Sequence, residues 1–259
     1  MGKTINMKTI QYKLGKKAAR PGAVKFKLVD FINKADFPTL PKIFGHENLL
    51  PQKAWGMLGN DSYGDCVWAG AAHEHRMWNL ECGKDVLFTD KSVLSDYSAV
   101  TGFDPKKPNT DQGTDMKEAA AYRLKTGIVD AKGIRHKVGA YISITPGDLH
   151  EHYIAMYLFG AVGIGIKFPG SAMRQFNQNK TWSVVRGAHI DGGHYVPLVA
   201  KRSYMSCVTW GQTQSMTVGF FEKYNDESLV YLTQESLLDG KSPEKFDYAK
   251  LNEYLSKLT

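Results

Sequence analysis

The chain is 259 residues long, 42% hydrophobic, 12% aromatic and 23% charged, which supports a sizeable core and excludes a disordered or fibrous protein. No apolar run approaches the roughly 20 residues that span a bilayer, so no membrane partner is expected. The formal charge of +7 is concentrated: residues 1–27 hold eight lysines and arginines and no acid, leaving 25 cations against 26 acids elsewhere.

This basic arm, taken as residues 1–36, suits nucleic acid, an acidic partner or the acidic surface of its own domain; the plainer reading is a solvated tail. It lacks an apolar signal region, so secretion by a recognisable signal is not expected. Three cysteines, Cys66, Cys82 and Cys207, cannot make a disulfide framework and point to a reducing compartment, cytoplasmic or virion-associated. Phe37-Pro38-Thr39-Leu40-Pro41 is an extended entry, since each proline pushes its predecessor out of the helical region. Leu58 to Asp65 is a loop of turn formers. A helix is predicted over 66–81, with Asp65 as N-cap, Gly70-Ala71-Ala72 as a small-residue face and Gly83 as its stop. Further helices are predicted over 91–100 and 115–126, the latter burying Met116, Ala119, Ala120 and Leu124. From 133 the character changes. Strand signals cover 133–144, 161–167, 194–200, 206–210, 216–221 and 229–232, with a helix over 146–159 among them and another closing the chain at 246–258. Helices first and then a mostly antiparallel sheet make an α+β chain of two lobes, 37–132 helical and 133–242 β, followed by a C-terminal helical segment 243–259.

Cys66 stands at the start of the 66–81 helix, where the macrodipole and unpaired backbone amides favour thiolate. A nucleophilic thiol needs a group that takes and returns its proton near neutral pH, the property of histidine. Of eight histidines, His194 has the most telling setting, after the turn Asp191-Gly192-Gly193 and at the head of the strand Tyr195-Val196-Pro197-Leu198-Val199. The plain alternatives are a small buried apolar residue for Cys66 and a hydrogen-bonded histidine at a sheet edge for His194.

The run Asn60-Asp61-Ser62-Tyr63-Gly64-Asp65-Cys66-Val67-Trp68-Ala69 resembles the nucleophile loop and helix of the papain family, in which an oxyanion donor lies six residues before the cysteine and a glycine two before. Leu40-Pro41 looks like the start of the mature domain. Asp111-Gln112-Gly113 with the helix after it is similar to the substrate wall, and Gly160 to Ile166 to the first strand of the right lobe. Gly193-His194-Tyr195-Val196 is similar to the histidine strand, and Thr209-Trp210-Gly211 to the tryptophan-glycine after the third catalytic residue. The 128 residues from Cys66 to His194 are near the separation known for papain and the cathepsins. The resemblance implies a papain-like two-lobe fold, with the nucleophile helix in the helical lobe and the histidine in the antiparallel sheet lobe. It implies a cysteine hydrolase of microbial or phage type acting on peptide or isopeptide bonds of a protein substrate. Cys66 and His194 would form the dyad, Asn60 the oxyanion donor, Gly113 and Thr114 the substrate wall, and Trp210 the shield of the histidine.

Three departures stand out. The first cysteine of the family signature is absent, so its disulfide is too. Asn60 is one methylene shorter than the family's glutamine. Val208-Thr209 occupies the place of the asparagine that orients the histidine, leaving Thr209 or Asp191 as candidate orienters. That substitution motivates an alternative, a papain-fold protein with weakened catalysis serving as a binding or virion component. A second alternative is a nucleic-acid-associated protein that uses residues 1–27. His73-Glu74-His75 and His150-Glu151-His152 invite a metal reading, but alternate residues on a helix point about 200° apart, and no metal site or cofactor is expected.

Overall fold

The computed structural model describes residues 10–30 and 38–236; the predicted 246–258 helix lies outside them. A two-residue strand, β1 (Phe44–Gly45), precedes the central helix α1 (Cys66–Glu81), which is followed by α2 (Asp90–Thr101) and α3 (Met116–Lys125). Thr89 and Ser92 close a reciprocal capping box on α2, and the Asp115 carboxylate caps α3 through the Glu118 amide. Asp65 occupies the N-cap position of α1 but makes no side-chain cap. Its carboxyl is buried, and desolvation holds it well above the usual range, with a hydrogen bond from Asn60 opposing.

Arg123, not the expected Leu124, completes the buried face of α3: Leu124 is 40% exposed and Arg123 1%. Four residues after Ala119, Arg123 shares its face, whereas Leu124 points well away. The guanidinium lies 2.7 Å from the Glu74 carboxylate of α1 and 3.7 Å from the Tyr231 ring centroid. Tyr195 donates to the same Glu74 at 2.6 Å.

Short strands β2 (Ile128–Val129) and β3 (Arg135–His136) pair with each other, and β4 (Ala140–Ser143) opens the main sheet. Then come α4 (Leu149–Phe159), β5 (Val162–Pro169), α5 (Gly170–Asn177), β6 (Ile190–Lys201), β7 (Met205–Thr209), β8 (Gln212–Met216), α6 (Val218–Tyr224) and β9 (Asn225–Leu232). The antiparallel sheet runs β4-β9-β5-β6-β7-β8, with β1 also on β6. Two expectations are corrected. The strand predicted at 216–221 ends at Met216, where Thr217 caps α6 by accepting from the Phe220 amide; Phe220, Phe221 and Tyr224 then sit at helical spacing, which a short apolar run does not distinguish from a strand. The run predicted over 133–144 is two short strands, β3 and β4, and helix α5 went unpredicted.

β6 joins two cores. Val196 and Leu198 point into one with α4, β5 and α5, while Tyr195 and Val199 point into the other with α1 and α3. Gly70 is where this contact closes: a methyl group there would fall about 2.5 Å from the Tyr195 ring. The small-residue face of α1 thus sets the distance between helix and sheet, and so between Cys66 and the strand carrying His194.

Candidate active site

Cys66 begins α1 and is 1% exposed. The backbone amides of Tyr195 and Gly15 both direct hydrogen bonds at its sulfur, yet burial pushes the thiol up to about 12. The thiol therefore abuts the strand residue that follows His194. His194 is fully buried, and desolvation pushes its imidazole down to about 3. Nε2 lies 2.7 Å from Thr209 Oγ1, while Nδ1 has no hydrogen-bond partner. The ring stacks on Trp210 at 4.4 Å and 15°, with Phe168 edge-on at 5.4 Å. A tautomer with Nε2–H donating to the Thr209 hydroxyl leaves Nδ1 as the basic nitrogen. The orienting contact comes from Thr209, one of the two candidates. The Asp191 carboxylate pairs instead with His189 Nε2 at 2.6 Å.

Asn60 is buried three residues before Tyr63, whose carbonyl accepts from Asn60 Nδ2 at 3.2 Å; the amide also faces the Asp65 carboxylate. In this conformation the amide is held by its own loop. Gly64 N–H is fixed by both Asp111 oxygens at 3.1 Å, and Tyr97 donates to Asp111 at 2.6 Å and accepts from Gly113 N–H at 3.0 Å. A polar web thus holds the nucleophile loop against the 111–114 wall.

The cleft between these parts is filled by the chain's own arm. Lys16 N–H donates to the Gly193 carbonyl at 3.0 Å, Thr114 N–H to the Gly15 carbonyl at 2.7 Å, and Lys17 N–H to the Thr114 carbonyl at 3.0 Å. Gly15 is required here: a methyl group on it would overlap the Gly64 carbonyl. On one side Tyr12 stacks on Trp210 at 5.1 Å, and Asn177 brackets the Ile10 backbone. On the other, the Lys16 ammonium is buried 2.9 Å from Asp226 and 3.8 Å from Glu227, and Arg20 grips Asp115 with two bonds of 2.5 Å. Lys16 and Arg20 are therefore matched by acids of the domain itself, the third of the three roles open to the arm. Nothing in this part of it supports a nucleic-acid partner.

A thiol at a helix start, an imidazole on the facing strand, a tryptophan over that imidazole and a peptide-holding wall across from it define the site. No family model matches the chain, and no curated protein matches it in sequence. Solved structures do. Xylellain, a cysteine protease from Xylella fastidiosa, superposes with a TM-score of 0.65 at 13% identity, covering 89% of this chain and 99% of its own. Procathepsin B from Trypanosoma congolense gives 0.60 at 12% identity, covering 85% of this chain and 86% of its own. A cysteine protease from Carica candamarcensis gives 0.50 at 13% identity, covering 75% of this chain and 99% of its own. The chain has the papain-like cysteine protease fold.

Cys66 abuts the backbone of Tyr195, next to His194; Thr209 and Trp210 contact the imidazole, and Gly113 and Thr114 line a wall that already holds a peptide segment. What sequence reasoning missed is the occupant of the cleft. Gly15-Lys16 in a run of lysines carries no signal for docking, because its partners, Gly64, Thr114, Gly193 and Asp226, are scattered through the chain. The three thiols are free, with Cys66 and Cys207 buried. Cys82 is half-buried and donates to the Glu235 carbonyl at 3.2 Å. Among the described residues no helix is long and apolar enough to cross a membrane.

Proposed function

We propose that the chain is a papain-like cysteine hydrolase acting on peptide or isopeptide bonds, held latent by residues 12–17 of its own arm. The observation that carries this reading is the peptide-like docking of Gly15-Lys16-Lys17 between Thr114 and Gly193, directly over Cys66. A cleft that binds one extended backbone through three main-chain hydrogen bonds has the form a peptide substrate needs. The docked arm is not itself cleavable in this pose. Its Gly15 carbonyl is held by the Thr114 amide, and the group presented to the sulfur is the Gly15 N–H.

With a substrate in place of the arm, His194 Nδ1 takes the Cys66 proton and the sulfur attacks the carbonyl carbon. The oxyanion is met by the Cys66 backbone N–H and by Asn60, once its amide turns from the Tyr63 carbonyl. The protonated imidazole then gives its proton to the leaving amine, and water releases the acyl group from the thioester by the same route. Thr209 and Trp210 keep the ring oriented and shielded. In the closed state thiol and imidazole are both neutral, since burial disfavours each charged form.

The test uses an epoxide or vinyl-sulfone probe on the full chain and on its Gly15→Ala variant, whose methyl group cannot fit under Gly64, with the adduct located by mass spectrometry. The expected result is slow labelling of Cys66 in the native chain, fast labelling in the variant, and loss of the fast reaction when His194→Ala is added. Cys66 in the open variant reacting no faster than a free model thiol would sink the reading and favour a papain-fold binding protein.

A further inference from the structure

Away from the cleft, α1 carries a second cluster of chemically capable side chains. His75 lies nine residues after Cys66, about 13 Å further along the helix, and is fully buried. His136 comes from β3, and Glu235 from the single 3-10 turn Gln234–Ser236 that follows β9. One ring nitrogen of each histidine and one oxygen of Glu235 lie within 4.8 Å of one another. We propose that His75, His136 and Glu235 form a binding site for a single Zn2+ ion that staples α1, β3 and the end of β9 together.

Three observations carry this. First, the donors already converge. The Glu235 oxygens lie 2.9 Å from His75 Nδ1 and 2.6 Å from His136 Nδ1, and Asn79 Nδ2 donates to Oε2 at 2.7 Å, fixing the carboxylate. Tetrahedral coordination with Zn–N and Zn–O distances near 2.0–2.1 Å needs ligand atoms roughly 3.3 Å apart, an expansion of about half an ångström. Second, the far side of one ligand is backed by an acid: Asp130 Oδ2 stands 3.5 Å from His136 Nε2. A carboxylate behind an imidazole is the usual outer partner of a metal-bound histidine. Asp130 is itself fixed, accepting from the Lys132 and Ile134 amides at 2.8 Å. Third, the charges balance. Glu235 and Asp130 bring two negative charges to two imidazoles, and a dication with both rings neutral makes the cluster neutral. The nearby Arg123 does not upset this, because Glu74 matches it at 2.7 Å.

Two imidazoles and a carboxylate suit Zn2+, and suit Mg2+ or Ca2+ poorly. Three protein ligands leave the fourth tetrahedral position to water, and the ion would hold α1, β3 and the Gln234–Ser236 turn together, remote from Cys66. The cluster escaped the sequence reading because its ligands lie at 75, 136 and 235, and neither close histidine pair contributes two of them.

The experiment titrates Zn2+ into the metal-free full chain in competition with a chromophoric chelator and follows the melting temperature. Carrying Cys66→Ser keeps the cleft thiol out of the count, so the outcome is independent of whether the chain is a hydrolase. The expected result is one tight equivalent with a rise in Tm, lost in Glu235→Gln and in His136→Gln. Asp130→Asn should weaken binding about 10–100-fold, and His189→Ala should leave it unchanged. If His136→Gln fails to fold, Glu235→Gln, which keeps the shape of the side chain, decides. Absence of a saturable equivalent, or an equivalent undiminished in Glu235→Gln, overturns the proposal.

Discussion

At the scale of single residues, the histidine's anchor is the informative departure. A threonine hydroxyl is shorter than a carboxamide, yet at 2.7 Å from Nε2 it makes the same kind of contact, because β7 ends at Thr209 beside the His194 stretch of β6. Trp210 takes a left-handed backbone at φ 44°, a costly conformation for a large side chain, and this places its indole flat on the imidazole. Thr209→Val keeps the shape and removes the hydroxyl. In the Gly15→Ala background it is expected to slow probe labelling of Cys66 by roughly tenfold, the worth of about 1.4 kcal/mol for one buried hydrogen bond. Thr209→Ser should retain most of the rate. A valine variant as fast as its parent would mean that the ring is held by Trp210 and Phe168 alone.

The arm is the element whose behaviour decides whether the cleft is open. Its closure rests on three main-chain hydrogen bonds, the Tyr12–Trp210 stack and the buried Lys16 ammonium between Asp226 and Glu227. Removing one partner of a buried ion pair costs about 3–5 kcal/mol, because the remaining charge is stranded. Lys16→Met is therefore expected to speed hydrogen exchange of the Lys17 and Thr114 amides by roughly 100-fold or more, the factor for about 3 kcal/mol, while amides in the middle of α1 stay protected. Exchange by mass spectrometry reads both regions in one experiment. Equal acceleration everywhere would point to a loss of global stability instead. The same opening should rehydrate Cys66. Its thiol, held near 12 in the closed state, then falls, so alkylation reaches its plateau at a lower pH.

For the whole molecule, acid is the vulnerable direction. Burial pushes His46, His73, His75 and His152 down to about 4 and His194 to about 3. Unfolded, these histidines take protons near pH 6.5. Below that value the unfolded chain binds more protons than the folded one, so stability is lost as pH falls from about 6.5 towards 4 and is fully present above it. His136, raised by Glu235 and Asp130, acts in the opposite sense, as do the carboxyls of Asp65, Glu74 and Glu227, which burial raises, so the five histidines set the direction only in part. Urea midpoints measured across this window should drop, and His152→Gln should shallow the slope. A flat profile would show that these rings stay solvated.

The amino-acid sequence by itself determined what depends on neighbours in the chain. The helix at Cys66, its stop at Gly83, the helices α2 and α3 and the order of the landmarks were legible, because turns and periodicity act over a few residues, whereas the turn expected at Asp191-Gly192-Gly193 is paired strand inside β6. The papain-like fold was legible through the order and spacing of its landmarks. Tertiary structure alone decided the rest. Thr209 became the anchor and Asp191 did not, since strand register sets which side chain faces the ring. Met216 ended a strand whose continuation was a helix. Arg123 replaced Leu124 in the core because Glu74 waits there, and His75, His136 and Glu235 met across three separate segments. Most consequential, the basic arm lay in the cleft: a peptide docks wherever amides, carbonyls and a half-buried acid pair converge, and that convergence is written in no single stretch of the chain.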